Sequence, residues 1–161
     1  MKKFLHTIFY YCLKLYWKTL SPKTFGVKGL IVREGEPGEI LLVRHSYGNT
    51  SRWNMCGGGY RPGRESPQHA VMREIEEELG VRARIAAKLG AFTSTAEGKR
   101  DTVDIFLCVL DQNYRLSINP EISEARWFMI SEIDGGTDVS KVVRTALVQY
   151  GNYLAGNSLR S

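Results

Sequence analysis

The spacing of apolar residues changes along the chain, and each change marks an element. Leu5, Ile8, Phe9, Cys12, Leu13, Tyr16 and Leu20 recur at steps of three and four, with Lys14 and Lys18 on the opposite side, which predicts an amphipathic helix. Ser21-Pro22 ends it, because proline disfavours helical geometry in the residue before it. From Phe25 the pattern becomes that of strands: residues 27–33 and 39–44 flank a Glu34-Gly35-Glu36-Pro37-Gly38 turn and predict a hairpin. Branched and aromatic residues over 84–95, 102–110 and 125–130 predict further strands of the same sheet. Val139, Val142, Val143, Ala146, Leu147 and Tyr150 return to helical spacing. A second helix is predicted over 67–79, since Ser66 suits an N-cap, Pro67 the first helical position and Gly80 a left-handed stop. No repeat or interdomain linker interrupts this order. The expected architecture is a single α/β domain, residues 23–161, with a helical appendage, residues 1–22.

Composition agrees with one globular domain: 161 residues, 43% hydrophobic and 24% charged. The net charge of +5 suggests a nucleic-acid partner until its location is considered. Lys2, Lys3, Lys14, Lys18, Lys23 and Lys28 precede the first acidic residue, Glu34, and residues 29–161 hold 16 basic and 17 acidic side chains. The body therefore lacks the overall positive bias of an electrostatic DNA or RNA binder, and no DNA binding is expected. The first helix has Lys14 and Lys18 in its apolar run and no small-residue cleavage site, unlike a signal peptide, and it is too short and charged to span a bilayer. Two readings remain: its apolar stripe packs on the body or on a second copy in a homodimer, or it lies on an anionic membrane surface through Trp17, the tyrosines and the lysines. Cysteines 12, 56 and 108 form neither a paired framework nor a zinc pattern, so a reducing, cytoplasmic location is expected, membrane-peripheral under the second reading.

Chemistry concentrates between Gly57 and Val81. On the predicted helix, Glu74, Glu77 and Glu78 stand at i, i+3 and i+4, which brings three carboxylates to one face. A solvated acidic face leaves Arg73, Glu65 and the preceding glycine cluster unexplained. A hard cation with oxygen ligands would offset the repulsion, and magnesium suits such a site better than zinc, for which histidine and cysteine ligands are missing. Gly59, Glu65, Arg73-Glu74, apolar Ile75, Glu77-Glu78, Gly80 and apolar Val81 resemble the Nudix box, Gx5Ex7REUxEExGU, at every fixed position. Such agreement arises by chance on the order of once in a billion starting points.

The resemblance implies an α/β/α sandwich with a mixed sheet and hydrolysis of a phosphoanhydride bond with Mg2+, or Mn2+, as cofactor. It implies Glu74, Glu77 and Glu78 as metal ligands, Arg73 and Glu65 as the pair that holds the box, and Gly58 and Gly59 as the loop at the phosphates. Arg44, in Val43-Arg44-His45, is similar to a family stretch and is a candidate phosphate contact. A carboxylate outside the box often adds a ligand or base, and Glu97, Asp104 and Glu121 are candidates, with Glu121 favoured. Cys56 stands where many members have proline, and Arg64 reads as one extra residue before Glu65. The expected substrate is a small nucleotide: a nucleoside di- or triphosphate or a nucleoside diphosphate derivative. Alternatives are a non-catalytic nucleotide-binding module and a peripheral hydrolase of a lipid-linked diphosphate.

Overall fold

The computed structural model describes residues 23–95, 100–111 and 113–158, so the predicted helix over 1–22 and the candidate Glu97 lie outside the described residues. Five strands form one sheet: β1 (Lys23–Arg33), β2 (Glu36–His45), β3 (Arg84–Ser94), β4 (Arg100–Leu110) and β5 (Ile122–Met129), in the order β3-β4-β1-β2-β5. β1 and β4 are parallel and in register over their whole length, from Lys23↔Arg100 to Arg33↔Leu110, whereas the other pairings are antiparallel. The sheet is therefore mixed, as expected. The extension of β1 back to Lys23 and of β4 back to Arg100 follows from this long pairing, which polar residues join through the backbone ladder and, at Thr24 and Asp101, through a side-chain hydrogen bond of 2.8 Å.

Both faces of the sheet are covered, which is why Leu30, Ile31 and Val32, or Ile40, Leu41, Leu42 and Val43, read as unbroken apolar runs. Val27, Ile31, Leu41 and Val43 point to one face, where α1 (Pro67–Leu79) packs through Ala70, Val71, Ile75 and Leu79. Leu30, Val32, Ile40 and Leu42 point to the other, against α2 (Ile130–Asp134) and α3 (Lys141–Ser158). The predicted caps of α1 form: the Ser66 side chain accepts from the His69 N–H, and Gly80 takes φ 66°.

Other boundaries differ from expectation as well, and β2 begins at Glu36, inside the predicted turn. Val139 is extended and bridged to Trp53, so the last helix begins at Lys141, and it runs on past Tyr150. β5 starts earlier, at Ile122, and Ile130 belongs to α2, whose first turn is closed when the Met129 N–H donates to Glu132 at 2.7 Å. No described helix is long and apolar enough to cross a membrane.

Candidate active site

β1 and β2 pair closely only near the hairpin end, at Ile31↔Leu41 and Val32↔Ile40. Beyond that they part, and residues 54–60 fill the seam. Val43 and Asn54 exchange backbone hydrogen bonds on β2 (2.8 and 2.9 Å). The segment then crosses to β1, where Gly29 N–H donates to Cys56 O (3.0 Å), Val27 N–H to Gly58 O (2.9 Å) and Tyr60 N–H to Phe25 O (3.0 Å). The Lys28 ammonium donates to the carbonyls of Met55 and Gly57. Two glycines are required by close approach. Gly57 has φ 131°, and a Cβ there would collide with the Val27 carbonyl; a Cβ on Gly58 would lie 2.6 Å from the Glu74 carboxylate. Gly59 sits farther out, where a Cβ would meet only Phe25 O at 3.7 Å.

α1 aims its carboxylates at this glycine segment. The Arg73 guanidinium donates to Glu65 (3.0 Å), Glu74 (2.8 Å) and Glu77 (2.9 Å), a distribution that its planar fork allows. Hydrogen bonding to Arg73 draws the Glu65 carboxyl below its ordinary range, and Glu65 raises Arg73 in return. Glu78 is buried, and its carboxylate accepts from the Gly57 N–H at 3.0 Å. Glu74 is 15% exposed and Glu77 56%. Burial raises Glu74 most, Arg73 opposes that, and the charges of Glu78 and Glu77 raise it further. Helix, loop and arginine thus hold like charges together at a cost.

Magnesium fits this donor set: the candidate donors are all oxygen, the charges of Glu78 and Glu77 raise Glu74, and the absent Cβ of Gly58 leaves space beside Glu74. Among the described residues no three metal-ligating side chains converge into a ready cage. That is compatible with magnesium, which keeps several waters and takes one or two carboxylates together with substrate phosphates.

The other predicted residues divide. Glu121 is brought to the site: it accepts from the Tyr47 hydroxyl at 3.3 Å, and burial, then Glu121, then Glu78 and Glu74 push that hydroxyl up to about 12. Asp104 is paired with Lys88 at 2.7 Å. Arg44 does not join the box. Strand alternation sends it to the α3 face, opposite Val43, where it pairs with Glu124 (3.1 Å) and stacks over Trp53 at 4.2 Å. His45 lies beside the Tyr47 ring, centroids 6.0 Å apart, and burial, then the Lys28 charge, lowers it to about 4. Cys56 is wholly buried, its thiol pushed up by that burial and then by Glu78, which fits a packing role. Lys28, Tyr47 and Tyr60 were not predicted; no local pattern distinguishes them, and Lys28 and Tyr60 join the site through the crossing of residues 54–60, Tyr47 through Glu121. Beside the box opens a cleft of about 1040 Å³, lined by Lys23, Phe25, Lys28, the glycines, Tyr60, Arg61, Arg64 and Asp101 among others.

The fold and the intact box define a phosphoanhydride hydrolase of one family. The NUDIX domain profile matches residues 23–146, and the chain belongs to the Nudix family; as such it is a hydrolase acting on acid anhydrides. It is 31% identical over 118 residues to diphosphoinositol polyphosphate phosphohydrolase 3-alpha of Mus musculus, covering 71% of each chain. It is 29% identical over 110 residues to nucleoside triphosphatase NudI of Enterobacter sp. (strain 638), covering 62% of this chain and 77% of the relative. The solved MutT protein from Methanosarcina mazei Go1 superposes with a TM-score of 0.71 at 23% identity, over 83% of this chain and 96% of that one. That likeness speaks to the fold.

Proposed function

We propose that the protein hydrolyses a phosphoanhydride bond in a small phosphorylated substrate, a nucleotide or nucleotide-like diphosphate, in a magnesium-dependent reaction. The observation that carries the reading is the carboxylate set of α1, with Glu74 set against Gly58 and fixed by Arg73 and Glu65. Glu74, Glu77 and Glu78 would hold the ion, which when bound neutralises diphosphate charge and acidifies water for in-line attack at phosphorus. Arg73 keeps the carboxylates aligned, and Glu78 ties the helix to the glycine segment through the Gly57 N–H. The Gly57–Gly59 backbone lies beside the carboxylates and suits close approach by the diphosphate. Water adds to one phosphorus, the bridging P–O bond breaks, and two phosphorylated products separate. Among the described residues, Glu121, held by Tyr47, is the carboxylate outside the box best set to take the proton of the attacking water.

The test is release of phosphate or nucleoside monophosphate from a panel of nucleotides and related diphosphates, with and without magnesium. Glu77→Gln is the informative variant because Glu77 is the most exposed of the three carboxylates, so loss of its charge is expected to disturb the fold least. Magnesium-dependent turnover that collapses in Glu77→Gln is expected. Tight binding of one compound with turnover of none would instead point to a regulatory module.

A further inference from the structure

We propose that the cleft beside the box contains a polyanion subsite, which selects substrates bearing phosphate groups beyond the bond to be cleaved. This rests on the hydrolase reading above and names its substrate class. The sequence Arg61-Pro62-Gly63-Arg64 forms a tight turn: the Arg64 N–H donates to Arg61 O at 3.1 Å, with Gly63 at φ 86°. The turn holds two exposed arginines on one wall of the cleft, and Lys23, the first residue of β1, contributes to the lining as well. None of the three has a carboxylate partner among the described residues; Arg100, Arg115, Lys141 and Arg144 also lack one but do not line this cleft, whereas Arg33, Arg44, Arg52, Arg82, Arg84 and Arg126 each hold one.

The acids of the cleft do not compensate these cations. Glu65 is taken by Arg73, and Asp101 accepts from the Thr24 hydroxyl at 2.8 Å. Three cations without a described carboxylate partner, Lys23, Arg61 and Arg64, therefore line one cleft beside the glycine segment and the carboxylates that would hold the ion. Guanidinium groups suit phosphate oxygens through paired N–H donors. The cleft is less suited to a nucleobase. Its two rings, Phe25 and Tyr60, contact each other edge to face, with centroids 6.2 Å apart and planes at 61°, so they do not form a parallel slot.

Clustered phosphates occur around a polyol ring or along a dinucleoside polyphosphate chain, and the test separates these. Inositol hexakisphosphate, which has phosphates but no anhydride, is titrated calorimetrically into the full chain, Arg61→Ala/Arg64→Ala and Arg61→Lys/Arg64→Lys. Turnover is compared on a diphosphoinositol pentakisphosphate, diadenosine tetraphosphate and ADP-ribose. The subsite predicts that the double alanine variant weakens hexakisphosphate binding about tenfold at low salt, that lysine restores part of it, and that added salt erases most of the difference. It also predicts a KM increase about tenfold larger on a phosphate-rich substrate than on ADP-ribose, and which of the two responds identifies the source. Unchanged hexakisphosphate binding, or an equal loss on ADP-ribose, overturns the subsite and leaves the hydrolase reading intact. Turnover of no compound overturns the hydrolase reading, and the hexakisphosphate titration then decides the subsite by itself.

Discussion

Gly58→Ala separates the position of one carboxylate from the stability of the fold. The added Cβ would lie 2.6 to 2.7 Å from three atoms of the Glu74 carboxyl group. Ordinary contact between such atoms begins near 3.5 Å, so the carboxylate must retreat by about 1 Å. The backbone at Gly58 is not in the left-handed region, and the obstructing atoms are the end of a flexible side chain. Folding stability should therefore change by less than about 1 kcal/mol, because the entropy lost by the unfolded chain offsets part of the strain at Arg73 and Glu74. A 1 Å displacement of a catalytic group costs about a hundredfold in rate, roughly 2.7 kcal/mol of transition-state stabilisation. The assay pairs a melting curve with kcat on the best substrate over a magnesium titration. A variant that melts like the wild type and turns over a hundredfold more slowly fits the reasoning. Wild-type kcat would show that the position of Glu74 does not matter, and global unfolding would show that the clash is absorbed by the backbone; either result refutes the account.

At the neighbouring position the opposite balance is expected: Gly57→Ala forces a left-handed φ and a clash with the Val27 carbonyl, so denaturant melts should show a loss of about 3 kcal/mol or more. Arg73→Lys cannot span Glu65, Glu74 and Glu77 together; kcat should fall about tenfold or more at near-constant stability, read by kinetics and denaturant melts on the same samples. His45, at about 4 in the folded chain against about 6.5 unfolded, binds its proton only on unfolding as the pH falls between those values. Its contribution is thus present above pH 6.5, declines through that window and is gone below 4. Denaturant melts should show about 2 kcal/mol less stability at pH 5 than at pH 7.5 from this group, a drop missing in His45→Gln. An equal drop in both proteins would assign it to other residues.

The helix α1 was legible because every signal for it is local. Ser66, Pro67 and Gly80 set its ends, and the 3.6-residue period alone brings Glu74, Glu77 and Glu78 to one side. The mixed sheet was legible as apolar runs, but the partners of each strand were not, since the parallel β1–β4 contact joins segments separated by most of the domain. Arg44 shows the limit. Alternation tells a reader that Val43 and Arg44 face opposite ways, and only the docked α1 tells which way leads to the site. The path of residues 54–60 leaves no trace in hydrophobic pattern because it is held by main-chain groups. With that path hidden, the places of Lys28 and Tyr60 were hidden as well.

The seam between β1 and β2 also divides the chain into parts that tolerate change differently. Because the glycine segment takes its position from main-chain contacts with Phe25, Val27 and Gly29, β1 acts as a ruler for the cradle. A deletion within 25–29 would slide the cradle past the carboxylates of α1, whatever the new side chains are. The Arg61–Arg64 turn lies outside that gauge, between Tyr60, bonded to Phe25, and Glu65, held by Arg73. Substrate preference can therefore drift through the turn, by replacing or adding residues there, while the bond-breaking centre keeps its calibration.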